Sequence, residues 1–334
     1  MATIRDVAAR AGVSVATASR ALNGSGPASP GTVELVRRAA DDLGYRVNKA
    51  ARSLRTQRTD TIGLLLSDVR NPFFSDLAYV IEQAAAADHV SVITMNADER
   101  TDRQEAALRS LATQRVDGLI VVPQGGATLE VPTGMPLVLL DRRVDGSPAP
   151  VIQSDNELGS RQMIDHLVEL GHRDIALVAG PQSSSSGRER LAACLAALEG
   201  HGCTPRPEWI VEGDFQERSG HVAAAALLDT TPRPTAVFAG DNLMAVGVLS
   251  EARKRGLRIG EDIAVVSFDD SRWFPLLDPP MTAVAQDVES LGLAAYRALK
   301  DLVAGRPSGD VVVPTRLVVR RSCTTSSIPA RRSA

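Results

Sequence analysis

Short apolar runs alternate with longer stretches of helical periodicity along most of this chain, and that alternation restricts its fold more than any other feature. Strand-like runs fall at 61–67, 90–96, 118–122 and 137–140, with helical stretches at 73–87 and 102–114 between them. A second series follows: helix 157–170, strand 175–179, helices 188–201 and 216–228, strand 236–239, helix 242–255 and strand 263–268. Strands separated by helices pair in parallel, and the helices cover both faces of the sheet. Two such series predict an α/β body of two lobes with a cleft between them. Open sheets of this kind bind ligands beyond the carboxyl ends of their strands. Polar residues gather at those ends: Ser67-Asp68, Asp141-Arg142, Asp241 and Asp269-Asp270.

Length and composition bound the rest. A chain of 334 residues exceeds the ~250–300 that one core supports, so several domains are expected. No apolar run approaches the ~18 residues of a membrane helix. The start, Met1-Ala2-Thr3-Ile4-Arg5-Asp6, lacks the apolar stretch of a signal peptide. Cys194, Cys203 and Cys323 are odd in number and form no Cys-x-x-Cys, which points to reduced thiols in a cytoplasm.

The net charge of −3 hides a split. Residues 1–58 carry ten basic and four acidic side chains, a net +6, and the remainder carries −9. A small basic head on an acidic body suits a polyanion for the head alone; a solubilising surface is the plain alternative. The head reads as three short helices. Thr3 caps the first, with Asp6 completing a capping box, and Ile4, Val7, Ala8 and Ala11 face a core. After a turn at Gly12-Val13, Ser14 caps a second helix that runs to about Asn23. Ser29-Pro30 opens a third, with Val33, Val36, Ala40 and Leu43 as its apolar stripe and Gly44 at its end.

Two helices joined by a short turn form a helix-turn-helix. On the second, 3.6 residues per turn put Val15, Ala16, Ser19 and Arg20 on one side and Ala18, Ala21 and Leu22 on the other. The apolar side packs, and the opposite side either faces water or enters a major groove. Arg20 suits the O6 and N7 of guanine, and Val15 and Ala16 suit thymine methyls. Ser14, Thr17, Ser19 and Asn23 suit phosphate oxygens. Asn48-Lys49-Ala50-Ala51-Arg52-Ser53-Leu54-Arg55 then offers about two turns of good helix formers, too few to be stable alone. Leu54, flanked by arginines, reads as a wedge for a minor groove; a plain linker is the alternative.

These residues carry a specific resemblance. Thr3-Ile4-Arg5-Asp6-Val7-Ala8, Ala11-Gly12-Val13-Ser14, Thr17-Ala18-Ser19-Arg20 and Leu22-Asn23 resemble the opening of lactose-repressor family regulators, which include the galactose and purine repressors. Leu43-Gly44-Tyr45 and residues 48–54 resemble that family's third helix and hinge helix. The likeness continues through Asn71-Pro72-Phe73-Phe74, Val116-Asp117-Gly118, Leu170-Gly171-His172, Asp241-Asn242-Leu243-Met244-Ala245 and Phe268-Asp269-Asp270, and so spans about residues 3–320.

The resemblance implies a helix-turn-helix head (1–46), a hinge and linker (47–59) whose Asn48, Ala51 and Leu54 meet DNA, and a body like periplasmic sugar-binding proteins (60–320). One lobe is expected at 60–157 and 287–314 and the other at 158–285 and 315–320, with crossings near 157, 286 and 315. It implies effector contacts from Phe73, Phe74, Asp141, Arg190, Phe215, Asp241, Asp269 and Gln286. Carboxylates accept from paired hydroxyls, Arg190 donates, and Phe215 stacks on a ring face. Many relatives have Asn-Asp where this chain has Asp241-Asn242; ionised Asp241 accepts only, so an effector group meeting it is a donor. The expected function is a repressor that binds a pseudo-palindromic operator as a homodimer under allosteric control by a small molecule, with a sugar favoured. Residues 321–334 lack leucine heptads and read as a disordered tail, with Cys323 a bystander.

Competing chemistries fit less well. In His166-x-x-Glu169-x-x-His172 the histidines are six apart rather than the four of zinc proteases. The segment 180–187 lacks the Lys-Ser/Thr of a P-loop, and no Gly-x-Ser-x-Gly elbow occurs. No catalytic residue, metal or cofactor is therefore expected. A sugar or nucleoside hydrolase, or a sugar-binding protein using the same cleft, is the alternative reading.

Overall fold

The computed structural model describes residues 2–23, 28–45, 58–125 and 129–324. They divide into two compact units that meet between Thr59 and Asp60 in the chain.

The first unit holds α1 (Ile4–Arg10), α2 (Val15–Asn23) and α3 (Pro30–Asp42). The Thr3 side chain and Asp6 form the reciprocal capping box of α1, which satisfies amide donors that a helix start leaves unpaired. Ser29 caps α3, with Pro30 at its first position. Val7, Ala8, Ala18, Ala21, Val36, Ala39 and Ala40 make the buried core. The stripe expected on α3 differs at its end. Leu43 is the C-cap residue and is 37% exposed, because the helix stops before that turn is complete; Ala39 packs instead.

The second unit contains two six-stranded sheets. The first, in the order β11-β5-β4-β3-β1-β2, uses β1 (Thr61–Leu66), β2 (Ser91–Asn96), β3 (Leu119–Val121), β4 (Leu137–Leu140), β5 (Val151–Ser154) and β11 (Val311–Val313), all parallel. Its helices are α4 (Pro72–Ala87), α5 (Thr101–Thr113) and α10 (Val288–Val303). Along β1 the side chains alternate as a strand demands: Ile62, Leu64 and Leu66 join a core with α4 and α10, and Leu65 joins another with α5.

The second sheet, β12-β10-β9-β8-β6-β7, uses β6 (Ile175–Ala179), β7 (Ile210–Glu212), β8 (Ala236–Ala239), β9 (Ala264–Phe268), β10 (Thr282–Ala285) and β12 (Arg316–Val318). It packs with α6 (Asn156–Glu169), α7 (Ser185–Gly200), α8 (Glu217–Leu228) and α9 (Asn242–Lys254). Its strands are parallel except the edge strand β12, which runs antiparallel to β10. β12 enters from β11 of the other sheet through Pro314 and Thr315, so no crossover helix sets its direction. The chain passes between the sheets three times, after β5, after β10 and after β11.

The expected disordered tail begins too early. Ser322 and Cys323 are 0% and 1% exposed. The Ser322 hydroxyl donates to the Val265 carbonyl at 2.6 Å and accepts from the Thr282 amide at 2.9 Å. Cys323 joins the core of the second lobe. The polar spelling of this segment concealed two small side chains that fill a buried gap. Residues 325–334 lie outside the described set. Among the described residues no helix is long and apolar enough to cross a membrane.

Candidate functional site

In the head, the Thr17 amide donates to the Ser14 hydroxyl at 3.1 Å, which caps α2. The two hydroxyls pair at 2.8 Å, so Ser14 is engaged within its own helix start. Ala18 and Ala21 are buried, whereas Val15 is 44% exposed and Ala16 and Arg20 also face outward. The Arg20 Nε donates to the Ala16 carbonyl at 3.3 Å. That contact lays the guanidinium along the outward face. Asn23 closes α2. The expected hinge contacts Asn48, Ala51 and Leu54 lie outside the described residues.

In the second unit, all eight residues expected at the effector site line one cavity: Phe73, Phe74, Asp141, Arg190, Phe215, Asp241, Asp269 and Gln286. Asp141, Asp241 and Asp269 follow the carboxyl ends of β4, β8 and β9, and the N-terminal turn of α4 supplies Phe73 and Phe74. Asp141, Phe215 and Asp269 have φ of 68°, 60° and 67°, a backbone region that residues other than glycine rarely adopt. That turn of the chain aims their side chains into the cleft. Gly180 gives Phe215 its place, since a β-carbon there would stand 2.3 Å from the ring.

A polar network fixes the site. Arg190 Nε donates to Asn156 Oδ1 at 2.8 Å and one Nη to the Gly240 carbonyl at 2.8 Å. Its guanidinium lies 3.6 Å over the Phe268 ring and 4.0 Å from Asp269. Gln286 Nε2 donates to the Asp269 carboxylate. Asp241 Oδ1 accepts from the Met244 amide at 2.7 Å and caps α9; its Oδ2 is buried with no partner in the protein. Burial, the largest influence, pushes Asp241 up to about 7 despite the Met244 amide and Asp141 up to about 6 despite Arg142 and Arg190. Burial also raises Asp269, against Arg190. The expectation that Asp241 only accepts holds for its ionised form; the protonated form also donates.

The sequence reading did not include Arg142, Asn71 or Ser186 among the site residues, yet all three line the cavity. Arg142 is 3% exposed. Its Nη atoms make a bidentate pair with Glu99 at 2.7 Å each, and Nη1 also reaches Gln124 Oε1 at 3.1 Å. It sits 5.0 Å from the Phe215 ring centroid and 5.8 Å from that of Phe74. The lobes touch through Asn242 and Asn71, through Gln216 with Asp68 and Arg70, and through the Arg143 amide with Ser185. The cavity volume is about 10 Å³, room for about one water. His166 contacts Cys323 and His172 contacts Thr235. Among the described residues no three His, Cys, Asp or Glu side chains form a metal set.

Comparison with known proteins agrees with this geometry. Residues 3–48 match the family described as bacterial regulatory proteins, lacI family, and residues 164–323 match a periplasmic binding protein-like domain. An "HTH-type transcriptional repressor PurR" of Edwardsiella ictaluri (strain 93-146) is 36% identical over 96% of this chain and 97% of the relative. Its namesake in Proteus mirabilis (strain HI4320) is 36% identical, with the same coverage. A crystal structure of the lac repressor dimer bound to operator and the anti-inducer ONPF superposes with a TM-score of 0.83 at 32% identity, covering 97% of this chain and 99% of that one. A CelR–cellobiose complex gives 0.71 at 34% identity, covering 96% and 100%. The chain belongs to the lacI family of bacterial regulatory proteins. It is a DNA-binding transcriptional repressor and not an enzyme; the hydrolase alternative has no support among these relatives.

Proposed function

We propose that this repressor binds a pseudo-palindromic operator as a homodimer in the cytoplasm and that a carbohydrate in the interlobe cleft controls it. A twofold dimer presents two α2 helices to successive major grooves, with Val15, Ala16 and Arg20 toward bases and Ser14, Thr17, Ser19 and Asn23 toward phosphates. Residues 47–59 serve as a hinge that orders on DNA, with Asn48 and Ala51 at the duplex and Leu54 opening a minor-groove step. The effector shifts the lobes and so favours or forbids hinge pairing. A coupling of ~1–3 kcal/mol suffices for a 5–150-fold effect.

The observation that carries this reading is the convergence of three carboxylates, Arg190 and three phenylalanines on one cleft. That set supplies hydroxyl acceptors beside apolar ring faces, which suits a sugar. The CelR–cellobiose complex, a relative of similar length, is a solved case with a sugar. The test is selection of duplexes by the full-length protein, followed by anisotropy titration with and without neutral sugars. A palindrome bound ~10³-fold or more above bulk DNA, with affinity moved by a sugar, is expected. No preference for any palindrome would overturn the reading.

A further inference from the structure

The cleft contains two guanidinium groups, and each faces a carboxylate of the protein, Arg142 at 2.7 Å and Arg190 at 4.0 Å. Arg190 is held by Asn156, Gly240 and Asp269. Arg142 is held end-on by Glu99, whose side chain is 11% exposed. Glu99 stands at φ 53° in the loop after β2, and its amide donates to the Ser67 carbonyl at 2.9 Å, so the loop carries it beneath Arg142. The Arg142 Nε is buried with no hydrogen-bond partner; Asp141 is 3.5 Å from it. Asp241 Oδ2 and Gln286 Oε1 are likewise buried and unpartnered at the same cavity. The buried cavity groups without a hydrogen-bond partner are therefore one donor on a charge-paired guanidinium, one amide acceptor and one carboxyl oxygen.

Resting on the effector-cleft reading above, we propose that Glu99 is an anion filter: by neutralising Arg142 it restricts the cleft to uncharged, hydroxyl-rich rings and excludes phosphorylated ones. An uncharged polyol gives hydrogens to Asp241 and Gln286 and accepts from Arg142 Nε. A phosphate meets Asp141, Asp241 and Asp269, each of which repels it when ionised, while Arg142 and Arg190 already face the carboxylates of Glu99 and Asp269; like charges brought together are unfavourable. The negative field of Glu99 reaches the site itself, since it raises both Asp141 and Asp241. Glu99 acts through Arg142 and is a positioning residue.

The probe is inorganic phosphate, followed by ³¹P line broadening on the full-length protein. The basic head binds phosphate equally in every variant, so differences report the cleft. Glu99→Gln is expected to tighten phosphate binding at least tenfold relative to wild type, Glu99→Asp to restore exclusion, and Glu99→Gln with Arg142→Ala to abolish the gain. An unchanged phosphate affinity in a cooperatively melting Glu99→Gln, or a gain that survives Arg142→Ala, overturns the proposal. Wild type also decides, should Glu99→Gln not fold, with inorganic phosphate present throughout to occupy the basic head: glucose 6-phosphate stabilising it more than glucose overturns the filter, and the reverse order supports it. Loss of the carbohydrate reading has a separate signature, a neutral-sugar panel that stabilises neither protein while phosphate still separates wild type from Glu99→Gln.

Discussion

Asn242, the first residue of α9, reaches across the cleft and donates its side-chain amide to Asn71 Oδ1 at 3.1 Å. The same amide donates to Ser271 at 3.0 Å within its own lobe. Asn71 meanwhile caps α4 by accepting from the Phe73 amide at 3.1 Å. One contact therefore joins the starts of two helices in opposite lobes, each beside residues that line the cavity.

Asn242→Ala removes that bridge. With ~1 kcal/mol per hydrogen bond, the closed-to-open equilibrium constant falls about fivefold. Small-angle scattering should report a larger radius of gyration; an identical curve would show that the bridge does not hold the lobes.

Arg20→Ala should cost ~1–3 kcal/mol of operator affinity and relax preference at one base pair of each half-site. Anisotropy titrations against single-substitution operators measure both. A loss equal on all sequences would make Arg20 a phosphate contact.

The pH response follows from the raised carboxyls. The folded protein holds a proton on Asp241 up to about 7, well above the ordinary carboxyl range, so it binds more protons than the unfolded chain between about pH 4 and 7. Stability from this group is present below that window and lost as pH rises through it. Asp241→Asn keeps the helix cap and removes the titration. Its melting temperature should exceed wild type by more at pH 8 than at pH 5; parallel profiles would contradict the assignment.

Gly180→Ala places a β-carbon 2.3 Å from the Phe215 ring, closer than real contacts allow, and the ring must move. Effector affinity should fall at least tenfold in thermal-shift titration, with operator affinity in the absence of effector retained. An unaltered effector response would place Phe215 outside the recognition surface.

Ser322→Ala leaves the Thr282 amide and the Val265 carbonyl without their side-chain partner. Buried groups left unpaired cost ~1–3 kcal/mol, which denaturant unfolding resolves. An unchanged midpoint would mean that water takes the place of the hydroxyl.

Local pattern revealed much of this architecture. The stretch at 242–255 announced α9, and the run 175–179 announced β6, because one face or both faces of each element are apolar. The three carboxylates were legible as strand-end residues, and the motifs of the family resemblance supplied the rest of the set. Arg142 was legible as a strand-end residue too, but not as a member of the site, because its burial depends on Glu99, 43 positions earlier, and Phe215, 73 positions later. The helix α10 is absent from the expected elements, although Leu291, Ala295 and Leu299 repeat at helical spacing. The buried end at Ser322 and Cys323 has no periodicity at all, since it works by fitting a gap between β9 and β10.

The three passages between the sheets have an evolutionary corollary. Neither lobe is one continuous piece of gene, so a single recombination event cannot exchange half of the sensor and leave the other half whole. The head, by contrast, joins the remainder at one place, between Thr59 and Asp60. A single splice there pairs this reader with a different complete sensor, and new inputs are gained most simply by trading the whole body.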